Sequence, residues 1–338
     1  MRPATLKDVA ALAKVGISTA SYVLNETGLH KVSPETQERI RKAAAELRYR
    51  PNSVARELKS GQCRLIALLL PGVNYSFMPE LLQGIEEVLC DNHYNALLST
   101  YRTDEEFHAS CRLLSQQRIA GGICNPGGIM QRQEELESYF PDMPWVICSS
   151  MSNGHYPAVW VPAGEVGRIG LEYLLQKNHR RIACFIQGNN RWNELAALEK
   201  KYCFDANETI IWLQSNPYDI KHIWEELSYI KKTTPEKFPT AIFFNGDLEA
   251  AEFTSQAPQH NMRIPQDISV MGVNGSALCN LVSPQLCSVN QPRIEQGRLA
   301  AMQLLNWIKT NQRPETLDLT ANILEGSSVL PLPCPTEN

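Results

Sequence analysis

Residues 5–25 read TLKDVAALAKVGISTASYVLN, and this stretch decides how the chain begins to fold. Thr5 followed three residues later by Asp8 is a capping box, so a helix is expected from Leu6. Val9, Leu12 and Ala13 fall on one face of that helix. Lys14-Val15-Gly16 interrupts it, and a second short helix is expected from Ile17 to about Asn25. Ala20, Val23 and Leu24 form its apolar face. Ala10 and Ala20 are small where the two helices cross. Two short helices joined by a tight turn make a helix-turn-helix, whose second helix enters the major groove of DNA.

Working outward, Ser33 is an N-cap and Pro34 sits at the first helical position. Val32 precedes the cap as a hydrophobic staple. The third helix runs through ETQERIRKAAAELRY, buries Ile40, Ala44 and Leu47, and is stopped by Pro51. Next, Asn52 caps a helix of about two turns that ends near Gly61. So short a helix does not persist alone in water. It is expected to fold when paired with its twin and held by DNA.

Charge separates this head from the rest. Residues 1–64 carry twelve basic and six acidic side chains, hence +6. The whole chain carries -4, which leaves -10 for the remainder. A basic head on an acidic body suits phosphate attraction at one end, although a solvated charged face reads the same on charge alone. The ten cysteines lack any Cys-x-x-Cys pair and sit among apolar neighbours. They read as small core residues in a reducing compartment, not as disulfides or metal ligands. The first twenty residues lack the apolar run of a signal peptide, and no apolar run approaches a membrane span. A cytoplasmic protein without membrane contact is therefore expected.

From Leu65 the pattern changes to strands alternating with helices. LIALLLP, NALLST, AGGICN, PWVICSS, AVWV, RRIACFIQG, TAIFFNGD, DISVMGV and LCSVNQ read as strands. MPELLQGIEEVLCDNHY, DEEFHASCRLLSQQR and a segment from about Glu165 to Gln176 read as helices. This alternation means α/β architecture with doubly wound parallel sheets. There are too many strands for one such sheet, so two similar lobes are inferred. Loop tips after strands offer Asn74, Tyr75 and Phe77, then Arg102, then Asn189, Arg191 and Trp192. Asn245 and Asp247 follow, then Asn274 and Gln291. Amides, aromatics and a few charges suit a hydroxylated ligand. Each is also a residue type that caps loops, and Asp247 in FFNGD also fits as a cap of the following helix.

The segments TLKDVAALA, STASYVLN, VSPETQERI and RPNSVARELKSG, in this order and spacing, resemble the LacI/GalR family of bacterial repressors. RIPQDISVMGVN and TAIFFNGDLEAA extend the resemblance into the body. It implies a sequence-specific transcription regulator, a repressor acting as a homodimer on double-stranded operator DNA of palindromic sequence. The expected domains are a head over residues 1–50, a hinge helix and linker over 51–62 and a core over 63–338. The core would resemble periplasmic sugar-binding proteins. Lobe 1 would span about 63–161 and 292–324, and lobe 2 about 162–291 and 325–330. The chain would cross between lobes near Val161, Gln291 and Leu324. The resemblance places the 17–24 helix in the major groove and residues 52–60 in the minor groove, with Leu58 as an apolar wedge followed by Lys59. The candidate DNA contacts are Thr5, Ile17, Ser18, Thr19, Ser21, Tyr22, Asn25, Asn52, Leu58 and Lys59.

The chain departs from the family's usual residues at places that matter. Gly16 and Tyr22 stand where the family has Ser and Arg, so a bidentate guanine contact is lost. In the cleft between lobes, ELAALEKKYCF lacks the usual Arg, and Asn274 and Ser149 replace usual acids. Arg102 and Arg191 are the cations placed near the cleft, with Asp247 as the acid. A small polar effector is expected, a sugar, sugar acid or sugar phosphate, with an anion favoured and held by Arg102, Arg191, Asn274 and Gln291. A regulator that has lost its small-molecule input is the alternative. No cofactor or metal is expected. No HExxH, nucleophile elbow or phosphate loop supports an enzyme, and the basic head argues against a transport protein.

Overall fold

The computed structural model describes residues 4–26, 28–49, 63–72, 75–127, 129, 131–149, 152–186, 209–214 and 220–333. The expected hinge helix, with Asn52, Leu58 and Lys59, lies outside the described residues, as do Asn74, Asn189, Arg191 and Trp192. The chain divides into two units, residues 1–63 and 64–338.

In the head, α1 (Leu6–Leu12), α2 (Ile17–Leu24) and α3 (Pro34–Glu46) pack on one another. Thr5 caps α1 through the full capping box: its backbone N–H donates to Asp8 Oδ2 at 2.8 Å, and the Asp8 N–H donates to Thr5 Oγ1 at 3.4 Å. The turn between α1 and α2 places Lys14 at φ +53°. Ser33 caps α3 through the Thr36 N–H, with Pro34 at its first position. Arg39 Nε donates to the Ala13 carbonyl at 2.9 Å, tying α3 to the end of α1. The core of this unit is Val9, Ala10, Ala13, Ala20, Val23, Ile40, Ala43 and Ala44. Its many alanines let the three helices approach closely.

The larger unit holds two six-stranded sheets of the same winding. The first contains β1 (Leu65–Pro71), β2 (Asn95–Tyr101), β3 (Gly121–Cys124), β4 (Trp145–Ser149), β5 (Ala158–Trp160) and β11 (Leu317–Asp318), in the order β11-β5-β4-β3-β1-β2. The second contains β6 (Arg181–Ile186), β7 (Thr209–Gln214), β8 (Ala241–Phe243), β9 (Ser269–Asn274), β10 (Cys287–Asn290) and β12 (Asn322–Leu324), in the order β12-β10-β9-β8-β6-β7. All ladders are parallel except β10–β12. Strand β1 shows why its sequence is apolar throughout. Ile66, Leu68 and Leu70 enter the cluster on one face, and Ala67 and Leu69 enter the cluster on the other.

Helices α4 (Met78–Asp91), α5 (Asp104–Ser115), α6 (Gln131–Tyr139) and α10 (Arg293–Thr310) serve the first sheet. Helix α7 (Ala163–Gln176), α8 (Ile220–Thr233) and α9 (Asp247–Gln256) serve the second. The chain passes from β5 to α7 around residues 161–162 and returns from β10 to α10 around 291–292. The third crossing differs from the expectation near Leu324. Strand β12 already pairs with β10, Ser288 opposite Leu324. The Leu319 N–H still donates to Trp160 O of the first sheet at 2.8 Å. The crossing therefore lies between Asp318 and Asn322, and Leu319 packs against the cores of both lobes.

Cys111 and Cys148 are buried, and burial pushes each thiol up to about 12. They behave as small apolar groups. His179 is fully buried between α7 and β6. Its Nε2 donates to the Leu330 carbonyl at 3.0 Å, leaving Nδ1 as acceptor beside Thr240 Oγ1, also at 3.0 Å. Burial lowers its pKa from 6.5 to about 4. The unfolded chain therefore takes up a proton first as pH falls. The stability His179 contributes is complete above pH 6.5 and is lost as pH drops through 4, by about 3 kcal/mol. Urea unfolding at stepped pH is expected to show this loss in the wild type and a flatter profile in His179→Asn. Parallel profiles would contradict it.

Candidate nucleic-acid interface and effector cleft

Helix α2 buries Ala20 and Val23 and turns its other side outward. Ile17 is 50% and Tyr22 40% exposed, and Ser18 is exposed beside them. Thr19 and Ser21 are half-buried. The helix starts from Gly16, which makes no side-chain cap. Asn25 Nδ2 donates to the Ser21 carbonyl at 2.9 Å and Oγ at 3.1 Å. Asn25 and Ser21 thus secure the helix end. Thr5 caps α1, as its pairing with Asp8 predicts. Lys31 Nζ stands 5.8 Å from the centroid of the Tyr22 ring. The exposed face of α2 therefore presents a hydroxyl, an aliphatic group and a phenol, with a cation close by.

In the larger unit the expected ligand residues separate. Phe77, Asn274 and Gln291 line one cavity of about 340 Å³, together with Glu80, Arg293 and Arg298. It lies where the carboxyl ends of β9 and β10 meet the first turns of α4 and α10, the place open α/β sheets use for ligands. Tyr75, 39% exposed, is not itself a lining residue but packs its ring 5.6 Å from that of Phe77. Gln291 is 2% exposed. Its Nε2 donates to Asn274 Oδ1 at 3.1 Å, while its Oε1 is buried with no hydrogen-bond partner.

Three other expected residues do not line this cavity. Arg102 is exposed and folds back on Glu106, with Nη2–Oε1 at 2.8 Å and its own backbone N–H on Oε2 at 2.7 Å. The carboxylate four residues on in the first turn of α5 captures it. Asp247 is fully buried behind the site. Its Oδ2 accepts from the Ser276 N–H at 2.7 Å and its Oδ1 from Ser288 Oγ at 2.6 Å. Burial still raises its pKa against those bonds. It does not cap α9 either, because Gly246 is that N-cap. Asp247 holds the ends of β9 and β10 in place and offers nothing to a ligand. Asn245 is half-buried just before α9, outside the cavity lining.

The group that sequence reasoning missed is Arg293. It is 6% exposed and its guanidinium stacks 4.4 Å from the Phe77 ring centroid. The signal was present: Pro292 followed by RIEQGRLAAMQLLNWIKT is an amphipathic helix whose first residue immediately follows Gln291. Asn125, buried at the end of β3, was missed as well. Its Oδ1 accepts from the Gly127 N–H at 3.0 Å and shapes the loop there.

A helix-turn-helix followed by two lobes of identical winding defines a class, the DNA-binding transcription regulators with a solute-binding-like core. Residues 5–52 match the pattern of bacterial regulatory proteins of the lacI family, and residues 171–329 that of the periplasmic binding protein-like domain. The chain is 30% identical over 337 residues to the ribose operon repressor of Haemophilus influenzae, covering 97% of each. It is 29% identical to the HTH-type transcriptional repressor PurR of Vibrio atlanticus, covering 96% of this chain and 98% of that one. The protein is a member of the LacI family of transcription regulators. Its fold is that of the lac repressor dimer bound to operator and the anti-inducer ONPF, with TM-score 0.80, 22% identity and coverage of 97% and 100%. An Enterococcus faecium LacI-family regulator with bound ribose aligns at TM-score 0.68 and 20% identity, covering 80% of this chain and all of that one.

Proposed function

We propose that this regulator is a repressor that binds a palindromic operator in the cytoplasm as a homodimer, reading each half-site with the exposed face of α2. The observation that carries this is the outward row Ile17, Ser18 and Tyr22 on a helix otherwise packed into the head. In this reading Leu58 and Lys59 contact the operator centre, as the family resemblance implies. Tyr22 lacks the paired donors that recognise guanine, so Tyr22→Arg is expected to move the preferred half-site towards one containing a guanine. The gain for that base would be about 1–3 kcal/mol. Competition binding on operators varied at single positions checks it. Identical preferences for both proteins would remove Tyr22 from the base-reading surface.

We also propose that the cavity beside Asn274 and Gln291 takes a small hydroxyl-rich effector of the sugar class. The buried Gln291 Oε1 supports this, since a ligand hydroxyl supplies the donor it needs. The ribose operon repressor and the ribose-bound regulator among the relatives point to the same class. The expected preference for an anion weakens, because Arg102 is committed to Glu106 and exposed. Arg102→Ala is expected to leave the thermal shift caused by a bound sugar unchanged. The reading assigns no catalytic residue and no cofactor. A regulator acting without an effector is the second reading, and the Arg293 network favours it.

A further inference from the structure

Arg293 opens α10 one residue after the chain returns from the second lobe to the first. Its Nη1 donates to Gln296 Oε1 at 2.7 Å, and its Nη2 donates to Asn274 Oδ1 at 3.1 Å. Gln296, fully buried, donates its Nε2 to the Val159 carbonyl at 2.8 Å and the Ser149 carbonyl at 3.2 Å. Val159 lies within β5 and Ser149 ends β4 of the first sheet. Asn274 ends β9 of the second sheet, and its Oδ1 also accepts from Gln291. One guanidinium thus links the strand ends of the two lobes across the crossing at residues 291–292.

The link is demanding in both directions. A guanidinium removed from water requires its hydrogen bonds, and its charge lies over the Phe77 ring. Asn274 sits at φ +110°, a sparsely populated region that persists only where the surroundings hold it. The two donors on its side chain supply that hold. If the lobes rotate apart, Asn274 leaves with the second sheet, and both the guanidinium and the amide oxygen lose a partner.

We propose that Arg293 is a positioning residue that splints the hinge between the lobes and fixes the Asn274 and Gln291 amides at the cavity wall. The splint favours this arrangement of lobes whether or not a ligand is present. A ligand that prefers another arrangement must break the bond to Asn274 before it shifts the population. The inference rests on the cavity being the effector site, and it makes the regulator less responsive to an effector than an unsplinted one.

The test uses hydrogen–deuterium exchange on the full chain. Arg293→Met keeps an unbranched side chain over Phe77 and removes the donors. It is expected to raise exchange at least tenfold at the ends of β4, β9 and β10, with β1 and β6 unchanged. Asn274→Ala, which also removes the bond from Gln291, is expected to raise exchange at the same strand ends, and the double variant by less than the product of the two single effects, because the two share one bond. Arg293→Lys, which keeps the charge without the planar fork, is expected to resemble Arg293→Met. Unchanged exchange in Arg293→Met, fully multiplicative effects, or a rise spread over β1 and β6 would each overturn the proposal. The thermal shift caused by ribose is read separately on the same samples. Its absence in the wild type would defeat the effector-site reading while leaving the splint result intact.

Discussion

Ile40→Ala is expected to reduce operator binding roughly two- to fourfold at 25 °C while leaving the unfolding of the larger unit unchanged. The head has a small core, and five of its eight buried apolar residues are alanines. Ile40 is among the largest fully buried side chains and the bulkiest of that core. Truncating a buried isoleucine to alanine costs about 2–5 kcal/mol through lost transfer energy and the cavity left behind. A domain near sixty residues commands only about 3–5 kcal/mol in total. The variant head is therefore close to half unfolded, and α2 loses the platform that presents Ile17, Ser18 and Tyr22. Gel shifts and calorimetry on one sample separate the outcomes. Wild-type operator affinity in Ile40→Ala would show that the head does not depend on this core.

Gly84→Ala is expected to destabilise the larger unit by about 3 kcal/mol or more. Helices α4 and α10 cross where Gly84 and Gly297 face the other helix's backbone. A Cβ on Gly84 would stand 1.9 Å from the Ile294 carbonyl oxygen and 2.9 Å from the Arg298 nitrogen. A Cβ on Gly297 would stand 2.2 Å from the Leu81 carbonyl oxygen. Neither contact is relieved by a side-chain rotation, because the obstacle is backbone. The helices must separate, which also withdraws Phe77 and Arg293 from each other, since they open the same two helices. Thermal unfolding is expected to fall by roughly 6 °C or more, from the size scaling of domain melting. A melting temperature within 1–2 °C of wild type, on the same scaling, would show that the crossing is slack.

Local chemistry was legible where short-range rules govern. Thr5 with Asp8, and Ser33 with Pro34, fixed the starts of α1 and α3 to the residue. The apolar runs at 65–71 and 145–149 marked strands that are buried on both faces. Strands β11 and β12 were not read, because two or three residues at a sheet edge carry no periodicity. Strand β7 escaped for a similar reason, its apolar run TIIW being brief and at an edge. At the cleft the sequence placed residues on the right loops but not in the right roles. Arg102 was readable as an i,i+4 pair with Glu106, a local rule that outranked proximity to the cleft. Asp247 was not, since its partners Ser276 and Ser288 are brought to it only by the folded sheet. Arg293 belongs to the same class: its meaning comes from Asn274 and Phe77, one on each lobe.

The central claim is that α2 reads operator half-sites in a two-fold symmetric dimer. Selection of bound duplexes from a random pool by the full chain tests this most directly. The expected result is an enriched inverted repeat whose half-sites change when Tyr22 is replaced by Arg. Enrichment of no sequence, or of a single unrepeated site indifferent to Tyr22, would contradict it.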